Sequence, residues 1–220
     1  MKYVIIVGTG GFAREILWLL QEINQAQSQG GRIDPPYRIL GFISEESDQQ
    51  WGTDHGGLPI MGDDAWAFEN LERNVCFIPG VGTPIMRRKI AEKYLEAGFR
   101  SLTLVHPSVH MADDVTLGQG SILCAGAVLT TNIKMGAFSI VNLNATVGHD
   151  CSIGDYSTIH PGVNVSGQVT LGKEVELGTG SALIQGVTVG DGAVIGAGAV
   201  VTKDLEGAKT YVGVPARVLE

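Results

Sequence analysis

The sequence has few cysteines and no long apolar run. Cys76, Cys124 and Cys151 form an odd set without the spacing of a metal site, so we interpret them as reduced packing residues in a reducing compartment. The first apolar run, residues 3–7, is too short for a secretory signal, and nothing approaches the length of a membrane span. We therefore expect a cytoplasmic protein without membrane insertion.

Basic residues are also few: 15 Lys and Arg stand against 23 Asp and Glu, which makes the formal net charge −8. An acidic surface disfavours nucleic acid and anionic membranes as partners, so we expect neither. The length of 220 residues allows one large domain or two modest ones.

What the sequence has in abundance is a six-residue repeat. An aliphatic residue or Met opens each of seventeen consecutive hexads, from Val105 to the hexad that begins at Val201. The fifth residue is small or β-branched in nearly every hexad, and Gly often follows the opener. Such a short, strict repeat predicts a parallel β-helix, with the openers inward, the small residues in the corners and the glycines in tight turns of positive φ. A sandwich is disfavoured, because it would show turn signals every 8–12 residues.

The residues before the repeat predict a small Rossmann-like α/β domain. Strands are expected at 2–7, 37–44, 58–61 and 74–78, with helices at about 14–25, 64–70 and 84–97. Asp63 and Asp64 are expected to cap the second helix, and residues 27–36 and 48–57 are expected to form loops. We therefore divide the chain into an α/β domain, residues 1–104, and a β-helix with a C-terminal tail, residues 105–220.

A Gly-rich loop follows the first predicted strand. Gly8, Gly10 and Ala13 fit the pattern G-x-G-x-x-A, which lets a backbone approach a phosphate at a helix N-terminus. A dinucleotide site also requires an acidic residue about 20 positions on, and Glu45 comes much later. A mononucleotide or nucleotide-sugar site is favoured, and the alternative is that the glycines only permit tight packing. The expected site, at the carboxyl ends of the strands, uses Gly10, Gly11, Phe12, Ser44, Glu45 and Gly82.

One pair in the repeat points to acid–base chemistry. His149 is followed directly by Asp150, whereas His55, His106, His110 and His160 are not followed by a carboxylate. A neutral imidazole can take a proton from an acceptor amine or hydroxyl, and an adjacent carboxylate can orient the ring and stabilise the imidazolium. The alternative is a surface histidine on a solvated turn.

The hexad run, the stretch GHDCSIGDYSTIHPG and the ending GVPARV resemble the hexapeptide-repeat acyltransferases with a left-handed β-helix. The N-terminal VGTGGFAREIL and the His-Asp pair narrow the resemblance to bacterial sugar acetyltransferases with a small nucleotide-binding domain before the prism. These include the sialic acid O-acetyltransferase type and the N-acetyltransferases of nucleotide-linked 4-amino sugars. The resemblance covers essentially the whole chain, and it implies a homotrimer, a nucleotide-sugar substrate and acetyl-CoA as co-substrate, without a metal.

By this resemblance His149 is the general base and Asp150 its partner, and the loop residues named above hold the nucleotide-sugar. Thr179 and Ala197 fall where backbone groups hold acetyl-CoA. Some relatives carry a cofactor-contacting His nine residues after the base. This chain has Thr158 at that position, and the sequence leaves the contact open between Thr158 and His160. Relatives also carry His or Ser at the position of Phe12.

The spacing of residues along the repeat places the predicted base and the predicted cofactor residues on different faces of the prism. If three hexads make one coil, Thr179 and Ala197, which are 18 residues apart, stack on adjacent coils. His149 precedes Thr179 by 30 residues and therefore belongs to a different face. We expect the active site in a groove between two subunits of a trimer.

The function expected from these observations is acetyl-CoA-dependent N-acetylation of the 4-amino group of a nucleotide-linked sugar, by direct attack with His149 as base. One alternative is O-acetylation of sialic acid or another sugar hydroxyl. Another is a non-catalytic ligand-binding scaffold. A zinc prism of the carbonic anhydrase type is not supported by the histidine spacing.

Overall fold

The computed structural model of the chain describes residues 1–29, 35–44 and 51–220. The backbone divides into two compact units, which are described in turn. The first comprises Met1–Gly82 and Met86–Leu102, and the second comprises Thr83–Ile85 and Thr103–Glu220. Among the described helices, none combines the length and the apolar character that a membrane crossing requires.

A mostly parallel sheet forms the centre of the first unit. Its strands are β1 (Lys2–Val7), β2 (Tyr37–Ile43), β3 (Asp54–His55), β4 (Leu58–Gly62), β5 (Cys76–Pro79) and β6 (Arg100–Ser101). Their order is β3-β4-β2-β1-β5-β6, and neighbours run parallel except the antiparallel pair β3 and β4. The central strand β1 is buried over its last four residues, as an apolar run covered on both faces should be. The predicted Rossmann-like architecture is confirmed.

The helices are α1 (Gly11–Gln29), α2 (Asp64–Asn70) and α3 (Pro84–Glu96). Helix α1 continues past the expected end near residue 25, because residues 26–29 contain neither Gly nor Pro. The predicted cap of α2 is confirmed, since the Asp63 carboxylate accepts a hydrogen bond from the Trp66 backbone N–H at 2.8 Å. The expected loop at 48–57 instead contains β3; its residues 48–50, like residues 30–34 of the earlier loop, lie outside the described part of the chain.

The second unit is a parallel β-helix of two-residue strands. In chain order they are β7 (Leu104–Val105), β8 (His110–Met111), β9 (Thr116–Leu117), β10 (Ile122–Leu123), β11 (Val128–Leu129), β12 (Lys134–Met135), β13 (Ile140–Val141), β14 (Thr146–Val147), β15 (Ser152–Ile153), β16 (Thr158–Ile159), β17 (Asn164–Val165), β18 (Thr170–Leu171), β19 (Glu176–Leu177), β20 (Ala182–Leu183), β21 (Thr188–Val189), β22 (Val194–Ile195) and β23 (Val200–Val201). Strand β24 (Thr210–Val212) extends the stack above β22, and β25 (Arg217–Val218) pairs antiparallel with β24.

These strands form three sheets, which we call A, B and C. Sheet A contains β7, β10, β13, β16, β19, β22, β24 and β25; sheet B contains β8, β11, β14, β17, β20 and β23; sheet C contains β9, β12, β15, β18 and β21. Paired residues of the repeat are 18 positions apart, as Ile122 and Ile140 are. Three hexads therefore make one coil, as the sequence predicts.

The hexad openers and the fifth residues build the core of the prism. The openers from Leu123 to Val201 are buried, and so are the fifth residues from Ser121 to Ala199. In the first coil the openers are less covered, and Met111 is 42% exposed. Cys76, Cys124 and Cys151 are buried and unbridged, which confirms their interpretation as packing residues.

The expectation that the glycines after the openers occupy turns of positive φ is wrong. Positive φ occurs instead at the fourth position of each hexad from Gly120 to Gly198, whether the residue is Gly or not. The glycines after the openers are required by stacking. A Cβ built at Gly154 would lie 2.3 Å from the carbonyl oxygen of Gly172 in the next coil, closer than any side chain can approach.

Candidate active site

The residues predicted to hold the nucleotide-sugar lie at the carboxyl ends of β1, β2 and β5, where each strand is followed by a loop. Gly10 and Gly11 are exposed at the start of α1, and Gly82 lies in the loop between β5 and α3. A Cβ built at any of these three glycines would meet nothing within 4 Å. Their lack of a side chain is thus not needed for packing, and Phe12, the next residue of α1, is partly exposed.

Packing does explain a different glycine of this edge. A Cβ built at Gly80 would lie 2.7 Å from the Ala13 Cβ and 2.9 Å from the Ile6 Cγ2, so Gly80 lets α1 approach the sheet. The packing interpretation therefore applies to Gly80 and Ala13, and it does not explain why Gly10, Gly11 and Gly82 are glycines.

The loop after β2 is only partly described. Ser44 is 1% exposed, and its backbone N–H donates to the Gly62 carbonyl at 2.9 Å. Its side chain is therefore covered, which leaves little of it for a ligand to reach. Glu45, the predicted acidic partner of the same loop, lies outside the described residues.

A buried arginine holds the third loop, and the sequence analysis assigned it no role. Arg87 of α3 is fully buried, and its guanidinium donates through Nη1 to the carbonyl oxygens of Val81, at 3.2 Å, and Gly82. Charge-assisted bonds of this kind fix a loop more firmly than neutral ones. No pattern in the sequence shows that Arg87 is buried or that it contacts the loop before α3.

The acid–base pair lies at the corner between sheets B and C, just after β14. The His149 Nδ1 is 2.7 Å from the Asp150 Oδ2, and both side chains are nearly half exposed, 48% and 44%. Asp150 has a left-handed backbone, with φ of 61°. A carboxylate can only accept, so Nδ1 carries the hydrogen and the neutral ring has its lone pair on Nε2, available to a substrate.

Hydrogen bonds keep this carboxyl ionised. The bond from His149, and after it a bond from Asn132, hold the pKa of Asp150 below its ordinary value. The Asn132 Nδ2 lies 2.6 Å from the Asp150 Oδ1. The lowered pKa favours the negative form of Asp150, which can stabilise an imidazolium.

Gly167 of the next coil lies directly against the imidazole. A Cβ built there would stand 2.5 Å from the His149 Nε2. Gly167 and Asn132 were not predicted from the sequence, although the 18-residue coil indicates that they stack on His149 and Asp150. Gly167 follows His149 by 18 residues, and Asn132 precedes Asp150 by 18.

The predicted cofactor positions lie at another corner, between sheets A and B. Thr179 and Ala197 are exposed and stack on adjacent coils, and the Gly198 N–H donates to the Thr179 carbonyl at 2.9 Å. The predicted separation of His149 from these two residues within one subunit is therefore confirmed. Thr158 is 1% exposed, whereas His160 is partly exposed with its Nε2 2.8 Å from the Glu176 Oε1. Accessibility thus favours His160 over Thr158 as a cofactor contact.

Cys151, directly after the pair, is 2% exposed, and burial raises the pKa of its thiol. A buried, protonated thiol is a poor nucleophile. The geometry therefore suits direct proton transfer at His149 rather than a covalent enzyme intermediate.

Comparison with known proteins identifies the family. The model of the PglD N-terminal domain matches residues 3–94, and that of the bacterial transferase hexapeptide (six repeats) matches residues 168–203. The solved acetyltransferase domain of PglB from Neisseria gonorrhoeae FA1090 is 31% identical over 100% of both chains, with a TM-score of 0.83. The chain belongs to the hexapeptide-repeat acetyltransferases that carry a PglD-type N-terminal domain.

Two further relatives are associated with GDP-perosamine, one by its name and one by its bound ligand. GDP-perosamine N-acetyltransferase of Escherichia coli O157:H7 is 31% identical over 144 residues. That match covers 59% of this chain and 65% of the relative, so it spans just under two thirds of the relative's length. PerB from Caulobacter crescentus, solved with CoA and GDP-perosamine, is 28% identical over 100% of this chain and 98% of that chain, with a TM-score of 0.86.

Proposed function

We propose that this protein transfers an acetyl group from acetyl-CoA to the 4-amino group of a nucleotide-linked amino sugar. Support comes from the family, from a relative named GDP-perosamine N-acetyltransferase, and from PerB, which was solved with CoA and GDP-perosamine. The observation that carries the proposal is the exposed His149, whose Nδ1 is engaged by Asp150 so that Nε2 is the free acceptor. In this proposal residues 1–104 bind the nucleotide-sugar and residues 105–220 carry out the transfer.

The amine attacks the thioester carbonyl and forms the new C–N bond while His149 Nε2 accepts the amine proton. Asp150 stabilises the resulting imidazolium. The tetrahedral intermediate then collapses, the C–S bond breaks, and the imidazolium returns the proton to the departing CoA sulfur. Atoms and charge balance without a covalent enzyme intermediate.

The two substrates are assigned to the two sets of positions expected from the sequence. The nucleotide-sugar lies over the amides of Gly10, Gly11 and Phe12, between the loop that carries Ser44 and Glu45 and the loop that carries Gly82. These groups follow parallel strands, at the edge where ligands bind in such sheets, and α1 offers the phosphates its N-terminal amides. Acetyl-CoA lies along Thr179 and Ala197, with His160 or Thr158 at its reacting end.

We further propose a homotrimer in the cytoplasm. His149 and the cofactor positions occupy different corners of the prism, so one subunit cannot bring them together. A threefold assembly can place the B–C corner of one subunit against the A–B corner of its neighbour. The cytoplasmic assignment rests on three buried cysteines that form no disulfide and on the need for acetyl-CoA.

The test of the base is His149→Ala. We expect kcat for acetyl transfer to fall by about 10²–10⁴-fold, the usual effect of losing a general base, with little change in thermal unfolding. His110→Ala is the matched control, because His110 is an exposed histidine of sheet B that is not followed by a carboxylate, and it should retain activity. Retention of activity by His149→Ala would refute the general-base assignment.

The acceptor is tested by incubating the wild-type enzyme with acetyl-CoA and a panel of GDP-, UDP- and dTDP-linked 4-amino sugars, free amino sugars and CMP-sialic acid. Mass spectrometry of the product is expected to show an N-acetyl group on a nucleotide-linked amino sugar. Acetylation confined to hydroxyl acceptors would overturn the choice of nitrogen. Nucleotide-sugar binding without any transfer would favour a scaffold.

A further inference from the structure

A column of polar side chains runs beneath the acid–base pair. Asp114, Asn132 and Asp150 each occupy the fourth position of a hexad and are separated by 18 residues, so they stack on successive coils at the B–C corner. The backbone confirms the stacking, because the Asp150 N–H donates to the Thr131 carbonyl at 3.1 Å. An amide thus lies between two carboxylates.

Hydrogen bonds occupy both oxygens of Asp150. The Asn132 Nδ2 donates to Oδ1 at 2.6 Å, and the His149 Nδ1 donates to Oδ2 at 2.7 Å. With Oδ1 held, the carboxylate cannot turn about its terminal torsion, which is otherwise broad. The plane of Asp150 is thereby set, and with it the direction from which Nδ1 must approach.

We propose that Asn132 is a positioning residue of acetyl transfer, which orients Asp150 so that His149 presents an unprotonated Nε2 to the acceptor. This inference rests on the proposed function, because it assigns Asn132 a part in the same proton transfer. The arrangement forms a chain from amide to carboxylate to imidazole across two coils.

The other groups around Asp150 do not substitute for Asn132. Two coils before Asp150, the Asp114 carboxylate is engaged by the Thr131 hydroxyl, at 2.6 Å, and by the Asn132 backbone N–H. The next coil presents the uncharged residues Gly167 and Gln168, and the neighbouring Cys151 thiol is buried. Within the described residues, Asn132 is the only amide side chain recorded as donating to Asp150.

Backbone conformation is the competing explanation, and glycine separates the two. Asn132 has φ of 53°, a conformation that Asn and Gly tolerate better than other residues. Asn132→Gly removes the amide without straining the turn. Asn144→Gly is the matched control, since Asn144 holds the same hexad position with φ of 54° but belongs to a different corner.

The experiment compares kcat, both KM values and the pH profile of kcat/KM for the full-length variants. We expect Asn132→Gly to lower kcat by about 10- to 100-fold with both KM values nearly unchanged, and Asn144→Gly to resemble the wild type. Asn132→Asp should also lower kcat, and it should move the acid limb of the profile to higher pH. The added carboxylate favours the protonated imidazole and therefore keeps the base occupied to higher pH.

Nitrogen-15 NMR of the imidazole gives a readout that does not depend on turnover. In the wild type, His149 should be almost wholly the tautomer with hydrogen on Nδ1, whereas Asn132→Gly should show both tautomers. Wild-type kcat and a single tautomer in Asn132→Gly, with His149→Ala inactive, would overturn this inference alone. Activity in His149→Ala would overturn the general base and the inference together. If Asn132→Gly does not fold, an unshifted acid limb in Asn132→Asp overturns the inference.

Discussion

The imidazole of His149 packs against Gly167, a residue of the next coil that carries no side chain to displace it. A Cβ at Gly167 would lie 2.5 Å from Nε2 and 2.6 Å from Cε1, both atoms of a partly exposed ring that is free to swing away. The His149 ring therefore has a neighbour on each side: Asn132 contacts Asp150 from the preceding coil, and Gly167 of the next coil leaves room for the ring.

We accordingly predict that Gly167→Ala lowers kcat by about tenfold or more while the protein stays folded, because the ring rather than the backbone yields to the new methyl group. Steady-state kinetics and thermal unfolding measure the two effects. In the double variant with His149→Ala, the Gly167→Ala change should cost nothing further, since the two residues act as one unit. Independent, additive losses would contradict the contact.

At the scale of elements, two positions of the hexad restrict which residues fit. One is restricted by its backbone conformation and the other by its distance from the next coil. The fourth residue takes positive φ, which seven non-glycine residues adopt between Asn132 and Glu174. The residue after the opener lies against the backbone of the next coil and tolerates no Cβ where Gly occupies it. The first demand is met by several residue types at a modest energy, whereas in the hexads with Gly after the opener a side chain would overlap the next coil.

This division predicts opposite outcomes for two one-carbon changes. Gly154→Ala should destabilise the fold by ~1–3 kcal/mol, the usual cost of overpacking, because its Cβ would meet the backbone of Gly172 at 2.3 and 2.4 Å. Ala208→Gly, just beyond the last hexad but with the same left-handed backbone, φ of 52°, should be neutral or stabilising, since glycine adopts that conformation without strain. Denaturant unfolding of both variants provides the comparison. Equal stability of Gly154→Ala and the wild type would refute the stacking explanation.

At the scale of the whole molecule, the corners of the prism decide which groups can act together. His149 lies at the B–C corner, and Thr179 and Ala197 lie at the A–B corner, so the proposed proton acceptor and the proposed acetyl donor occupy opposite borders of sheet B. In the proposed trimer each cleft would then draw its histidine from one subunit and its cofactor site from the next.

Mixed trimers test this sharing. His149→Ala and Ala197→Arg should each be inactive alone, the second because a bulky cation blocks the cofactor groove. Refolded together in equal amounts, they should recover about a quarter of wild-type activity, since about one cleft in four combines an intact histidine with an intact groove. Mixing His149→Ala with the double variant should recover none. Absence of recovery in the first mixture, with trimers formed, would place the whole site in one subunit.

The sequence by itself determined the architecture of the second unit, because a strict period of six leaves one way to bury the openers on every strand. It also determined the acid–base candidate, through the adjacency of His149 and Asp150, and the separation of His149 from Thr179, through the 18-residue coil. For the first unit it placed the strands and helices well, with errors at ends such as that of α1, where nothing in the chain stops the helix.

Only the tertiary structure decided which side chains touch across coils and which backbone positions turn to the left-handed region. Asn132, Gly167 and Arg87 have no local pattern that marks them, because their roles arise from contacts between coils or from burial inside a loop. A repeat determines which residues stack. Which of them form hydrogen bonds depends on side-chain torsion angles, and packing in the folded chain sets these.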